Sequence, residues 1–92
     1  MSVKYVLWYQ PADGVAEKAP AHFPAHSERI QEFAARGTLE GIGAFADPQT
    51  EGSMAIFTTR EAADEFAEGD PFVLNGVVRN WVVREWNDLL SG

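Results

Sequence analysis

The stretch KAPAHFPAHSERI carries both histidines of the chain, His22 and His26, four positions apart. Histidine titrates near neutrality and serves as a proton carrier or a metal ligand. On a helix, two imidazoles at i and i+4 could chelate a divalent cation. A third ligand would have to come from Asp47 or Asp70, the H-E-x-x-H setting is absent, and the chain has no cysteine. The donor set is poor, so no metal and no other cofactor is expected. The competing chemistry is acid–base: one imidazole moves a proton while a carboxylate fixes its tautomer. His26 is the better placed. In the series Phe23, His26, Ile30, Phe33 the steps are 3, 4 and 3, which puts His26 on the apolar stripe of a helix. His22 precedes that stripe. The candidate carboxylate is Asp70, in the segment GDPF. Each residue also has a structural reading. An inward histidine can be a satisfied core residue, and an Asp before Pro can simply cap a turn, as Asp47-Pro48 also can.

These side chains need elements to position them. VKYVLWYQ (3–10) is β-branched and aromatic and reads as a strand. PADGVAEKAP (11–20) reads as a polar loop. The helical spacing runs from about Ala21 to Arg36, and Gly37 stops it. TLEGIGAF (38–45) and SMAIFTT (53–59) read as a strand hairpin around the turn ADPQTEG. Thr58 and Glu61 have capping-box spacing for a short helix that ends at Gly69. DPFVLNG reads as a turn or helical turn, and VVRNWVVREW (77–86) is the last strand.

The order β-α-β-β-α-β with right-handed crossovers gives a four-stranded antiparallel sheet with both helices on one face, the ferredoxin-like α+β arrangement. That topology collects the end of the first strand, the start of the first helix, the turn at 46–52 and Asp70 at one end of the sheet. Tyr9, His22, His26, Asp47 and Asp70 could therefore share a cleft. The strands are apolar on both faces: Val3, Tyr5, Leu7 and Tyr9 alternate with Val6 and Trp8, and Val78 and Val82 oppose Trp81 and Val83. Two helices cover one face only, so the helix-free face is expected to pack on a second copy of the chain.

Ninety-two residues, 46% hydrophobic and 23% charged, fit one globular domain. No apolar run approaches the roughly 20 residues of a membrane span. The start MSVKYVLWYQ lacks a signal-peptide pattern, so a cytoplasmic address is expected. Seven basic against fourteen acidic residues give a net charge of −7. With the basic residues scattered, nucleic acid and anionic membrane are not expected partners.

The chain resembles the YciI-like (YCII, or DGPF-domain) family. The resemblance covers nearly the whole chain. It rests on KYVLWY, PAHSERIQEFAARGTL, GAFAD, the closing VREWN and, most specifically, MAIFTTREAADEFAEGDPFVLNGVV. Ala44 stands where the family pattern has proline. The resemblance implies a dimeric α+β barrel and a His–Asp site, which falls on His26 and Asp70.

The function expected from all this is a cofactor-free, small-molecule enzyme of lyase or isomerase type. His26 would transfer a proton and Asp70 would orient it, with His22, Tyr9, Asp47, Phe45 and Phe72 as substrate-binding wall residues. There is no cysteine nucleophile, and Ser27 and Ser53 lack elbow contexts. The alternative is a non-catalytic, ligand-binding or accessory homodimer of the same fold.

Overall fold

The structure is a computed structural model that describes residues 2–90. Four strands, β1 (Ser2–Pro11), β2 (Leu39–Ala44), β3 (Ser53–Phe57) and β4 (Val78–Asp88), form one sheet in the order β2-β3-β1-β4. Every pairing is antiparallel. The helices are α1 (Val15–Ala35), α2 (Pro48–Glu51), α3 (Arg60–Gly69) and α4 (Pro71–Leu74). This is the ferredoxin-like α+β fold, with β1 and β3 as the two inner strands.

Leu7 and Tyr9 of β1 point toward the helices and are buried, with Ala55 and Phe57 of β3 beside them. Phe33 of α1 and Phe66 of α3 close the core, with ring centroids 5.2 Å apart and rings nearly perpendicular. Ala62, Ala63 and Ala67 are small enough to let α3 lie close on the sheet. The register places Val6, Trp8, Met54, Ile56 and Val82 on the opposite face, where each stays partly exposed.

Several local expectations are corrected. The loop expected at 11–20 is mostly helix, since α1 begins at Val15. Proline within a helix removes the hydrogen bond to the carbonyl four residues earlier. Pro20 and Pro24 release the carbonyls of Ala16 and Pro20, and both residues are exposed, so water can replace the lost donors. Thr59, not Thr58, caps α3, accepting from the Ala62 amide at 3.1 Å. The turn at 46–52 tightens into α2. Phe23, expected on the buried stripe, is 56% exposed. Val78 packs with the core, because a register shift at Gln10/Pro11 turns the start of β4 inward.

Gly52 joins α2 to β3 with φ 79° and ψ −148°, a region that is glycine's alone. A Cβ there would run into the carbonyl oxygen of Tyr9. Gly52→Ala is therefore expected to destabilise the fold by about 3 kcal/mol, a drop of about 12 °C or more in melting temperature, read by circular dichroism. An unchanged melting curve would show that this junction is not constrained as described.

Candidate functional site

Asp70 ends α3 and begins α4. Its side chain is fully buried, and three donors from three elements converge on it. His26 Nδ1 of α1 lies 2.8 Å from Oδ1. The Tyr9 hydroxyl of β1 donates to Oδ2 at 2.6 Å. The Phe72 amide of α4 donates to Oδ1 at 3.0 Å. An ionised carboxylate accepts only, so this arrangement matches a charged Asp70 and a His26 that carries its proton on Nδ1. The turn-cap and imidazole-partner readings of Asp70 thus hold together: one oxygen caps α4 while also meeting the ring.

His26 is 8% exposed. Phe72 stacks on its ring with centroids 3.9 Å apart and a 10° interplanar angle. Phe66 approaches the imidazole edge-on at 6.3 Å. With Nδ1 committed to Asp70, Nε2 is the remaining polar atom. It has no protein partner among the described residues, yet no buried side-chain nitrogen or oxygen among them lacks one, so Nε2 is reachable. The ring lines an apolar cavity of about 370 Å³, walled also by Tyr9, Phe23, Ile30, Ile42, Phe72 and Val77. The Phe72 stack covers one face of the imidazole, so a ligand meets it at its edge.

Burial, then the charge of Asp70 and the hydrogen bond to it, push the Tyr9 hydroxyl far above the ordinary tyrosine value. Tyr9 is thus a fixed donor to Asp70. Arg29, one turn past His26, donates from Nη2 to the Glu65 carbonyl at 2.7 Å and from Nε to the Phe66 carbonyl at 3.1 Å. It fastens α1 to the end of α3, and its guanidinium lies where a side chain on residue 69 would be, which is why Gly69 precedes the carboxylate.

The structure brings together Tyr9, His26, Asp70 and Phe72 and leaves three expected wall residues outside the cavity. His22 is half-buried, one turn before His26, and does not line it. Asp47 is exposed and accepts from the Thr50 hydroxyl at 2.8 Å, its turn role. Phe45, past the end of β2, lines a separate shallow hollow. No group of three or more histidines or acids among the described residues is placed to hold a metal ion. Sequence reasoning missed Arg29 and Phe66. The spacing of Arg29 from His26 and the glycine before Asp70 are the signals that could have found the former.

A ferredoxin-like α+β chain with a carboxylate–imidazole pair beside an open apolar cavity defines the class. The chain belongs to the YCII-related domain family, whose model matches residues 3–87. No curated protein matches it significantly. Among solved structures it is similar to 5-chloro-2-hydroxyhydroquinone dehydrochlorinase of Burkholderia phenoliruptrix AC1100 in complex with 2,5-dihydroxybenzoquinone, with TM-score 0.74 and 18% identity over 91% of this chain and 93% of that one. It is also similar to an antibiotic biosynthesis monooxygenase, with TM-score 0.55 and 14% identity over 95% of this chain and 98% of that one. A MhuD mutant with two manganese protoporphyrin IX bound per active site gives TM-score 0.52 and 14% identity, covering 98% and 97%. At these identities the likeness shows the fold. Among the described residues no helix is long and apolar enough to cross a membrane.

The raised Tyr9 value has a consequence for stability. The folded state keeps this proton where the unfolded chain, titrating near pH 10, has lost it. Its contribution is therefore full below about pH 10 and is lost as pH rises further, at up to about 1.4 kcal/mol per pH unit. Denaturant unfolding of wild type and Tyr9→Phe from about pH 8 to about pH 11 is expected to show the steeper alkaline loss only in wild type. Parallel curves would contradict a buried donor at Tyr9.

Proposed function

We propose that the protein is a cofactor-independent, cytoplasmic small-molecule enzyme of lyase or isomerase type, in which His26 Nε2 takes a proton from, or returns one to, a substrate in the apolar cavity. The observation that carries this reading is the division of labour on one ring: Nδ1 is tied to a buried carboxylate at 2.8 Å, and the ring that bears the remaining nitrogen lines an open cavity. A proton moved to Nε2 makes an imidazolium, and the fixed charge of Asp70 stabilises it without moving. The apolar walls keep water from competing for the proton. Tyr9 and the Phe72 amide hold the carboxylate in place, and Phe72 keeps the ring from turning. The dehydrochlorinase named above gives a chemical precedent for such a reaction: loss of chloride from a hydroxylated ring. Proton abstraction followed by departure of a group is the reaction type that this arrangement fits.

The test uses chlorinated hydroxyhydroquinones for halide release and cyclic ketones for solvent-deuterium exchange. Wild type is expected to turn over at least one of them. His26→Gln and Asp70→Asn are expected to slow that reaction about a hundredfold or more. Because Asp70 also caps α4, Asp70→Asn is compared at a temperature where circular dichroism shows it folded. Folded variants that keep wild-type rates would refute the acid–base role.

The assembly we propose is a homodimer through the helix-free sheet face. Val6, Trp8, Met54, Ile56 and Val82 make that face apolar and partly exposed, and Trp86 extends it at 43% exposure. Sedimentation velocity is expected to give a dimer at low micromolar concentration, and Val6→Glu a monomer. A stable wild-type monomer would contradict it.

A further inference from the structure

A second hollow, of about 430 Å³, borders the apolar cavity. Pro11 and Val15 are walls of both, so the two spaces adjoin across these residues. The character changes across that edge, because the second hollow is lined by Gln10, Asp13, Gln49, Thr50 and Arg79. Among the described residues no lysine or arginine lines the apolar cavity. Among the described residues, Arg79 is the one cation lining either space.

Arg79 already holds a carboxylate. Its Nη2 lies 3.1 Å from Asp13 Oδ1, and the Asp13 side chain is fully exposed. An exposed ion pair of this kind is weak, so Asp13 yields to a competing oxyanion. With a net charge of −7, the protein as a whole repels anions. A local cation beside the cavity offsets that repulsion for an anionic ligand.

We propose that this groove is an anion-recognition annex of the cavity. The ligand class is a small molecule with an apolar body and one anionic oxygen group, such as a carboxylate or sulfonate. The body fills the cavity beside His26, and the oxyanion takes the place of Asp13 on Arg79. This rests on the reading of the cavity as the ligand site and adds to it the residue that selects charge.

Two fluorescent probes of the same apolar skeleton test it: anilinonaphthalene sulfonate, which carries the anion, and N-phenylnaphthylamine, which does not. At low ionic strength, Arg79→Ala is expected to weaken the sulfonate about fivefold, and Asp13→Asn to tighten it about threefold, both within the range of one exposed ion pair. The neutral probe is expected to bind all three proteins alike. Opposite effects of the two variants, confined to the charged probe, are what displacement of Asp13 requires. If Arg79→Ala weakens both probes equally or neither, or if Asp13→Asn leaves the sulfonate unchanged, the annex is refuted. Asp70→Asn is expected to leave the ratio of the two affinities unmoved, so failure here and failure of the proton-transfer reading are separate results.

Discussion

The carboxylate of Asp70 is the point on which the site depends. A buried charge is costly unless paired and hydrogen-bonded. Here the cost is met by an imidazole, a phenol and a backbone amide. Those groups come from α1, β1 and α4, so satisfying one side chain fixes the relative position of three elements. An unpaired Asp70 would leave a charge in the core, which makes the arrangement cooperative: it is complete or it is strained.

The rest of the local structure follows from keeping that carboxylate dry and oriented. Gly69 leaves room for the Arg29 guanidinium, which bonds the last carbonyls of α3 and sits 4.9 Å from the Phe33 ring centroid. Pro71 starts α4 immediately after Asp70, so the Phe72 amide turns back to Oδ1 and the Phe72 ring lands on His26. One short segment thus supplies the charge, its cap and the cover of the imidazole. The same geometry serves structure and chemistry, because a residue that fixes a ring by one nitrogen leaves the other free to act.

Much of this was legible in the sequence. The period of the strands, the glycine stop at Gly37 and the β-α-β-β-α-β order led to the sheet and to the end where the site would be. The step from Ile30 and Phe33 back to His26 placed that ring inward, and topology then brought Asp70 to it across 44 residues. The errors have physical causes. The polar, Pro- and Gly-bearing composition of residues 11–20 argues for a loop, but the carbonyls that Pro20 and Pro24 orphan belong to exposed residues and cost little. Asp47 and His22 share the end of the sheet with the site, yet topology resolves position only to an end, not to a cavity wall. Phe45 is one residue beyond β2, and the alternation that would aim a side chain no longer applies there. In the sequence the Tyr9 hydroxyl reads only as a wall group. Its partner could not be known without the depth at which Asp70 lies.

In this arrangement Asp70 holds the neutral His26 ring with its proton on Nδ1 and leaves Nε2 bare. Nitrogen-15 NMR of histidine-labelled protein reads this directly, because protonated and bare ring nitrogens resonate far apart and the two tautomers give opposite patterns. At a pH where His26 is neutral it is expected to be the Nδ1–H tautomer, the less common one for a free imidazole, and Asp70→Asn is expected to shift the population toward Nε2–H. A neutral His26 protonated on Nε2 in the wild-type protein would contradict it.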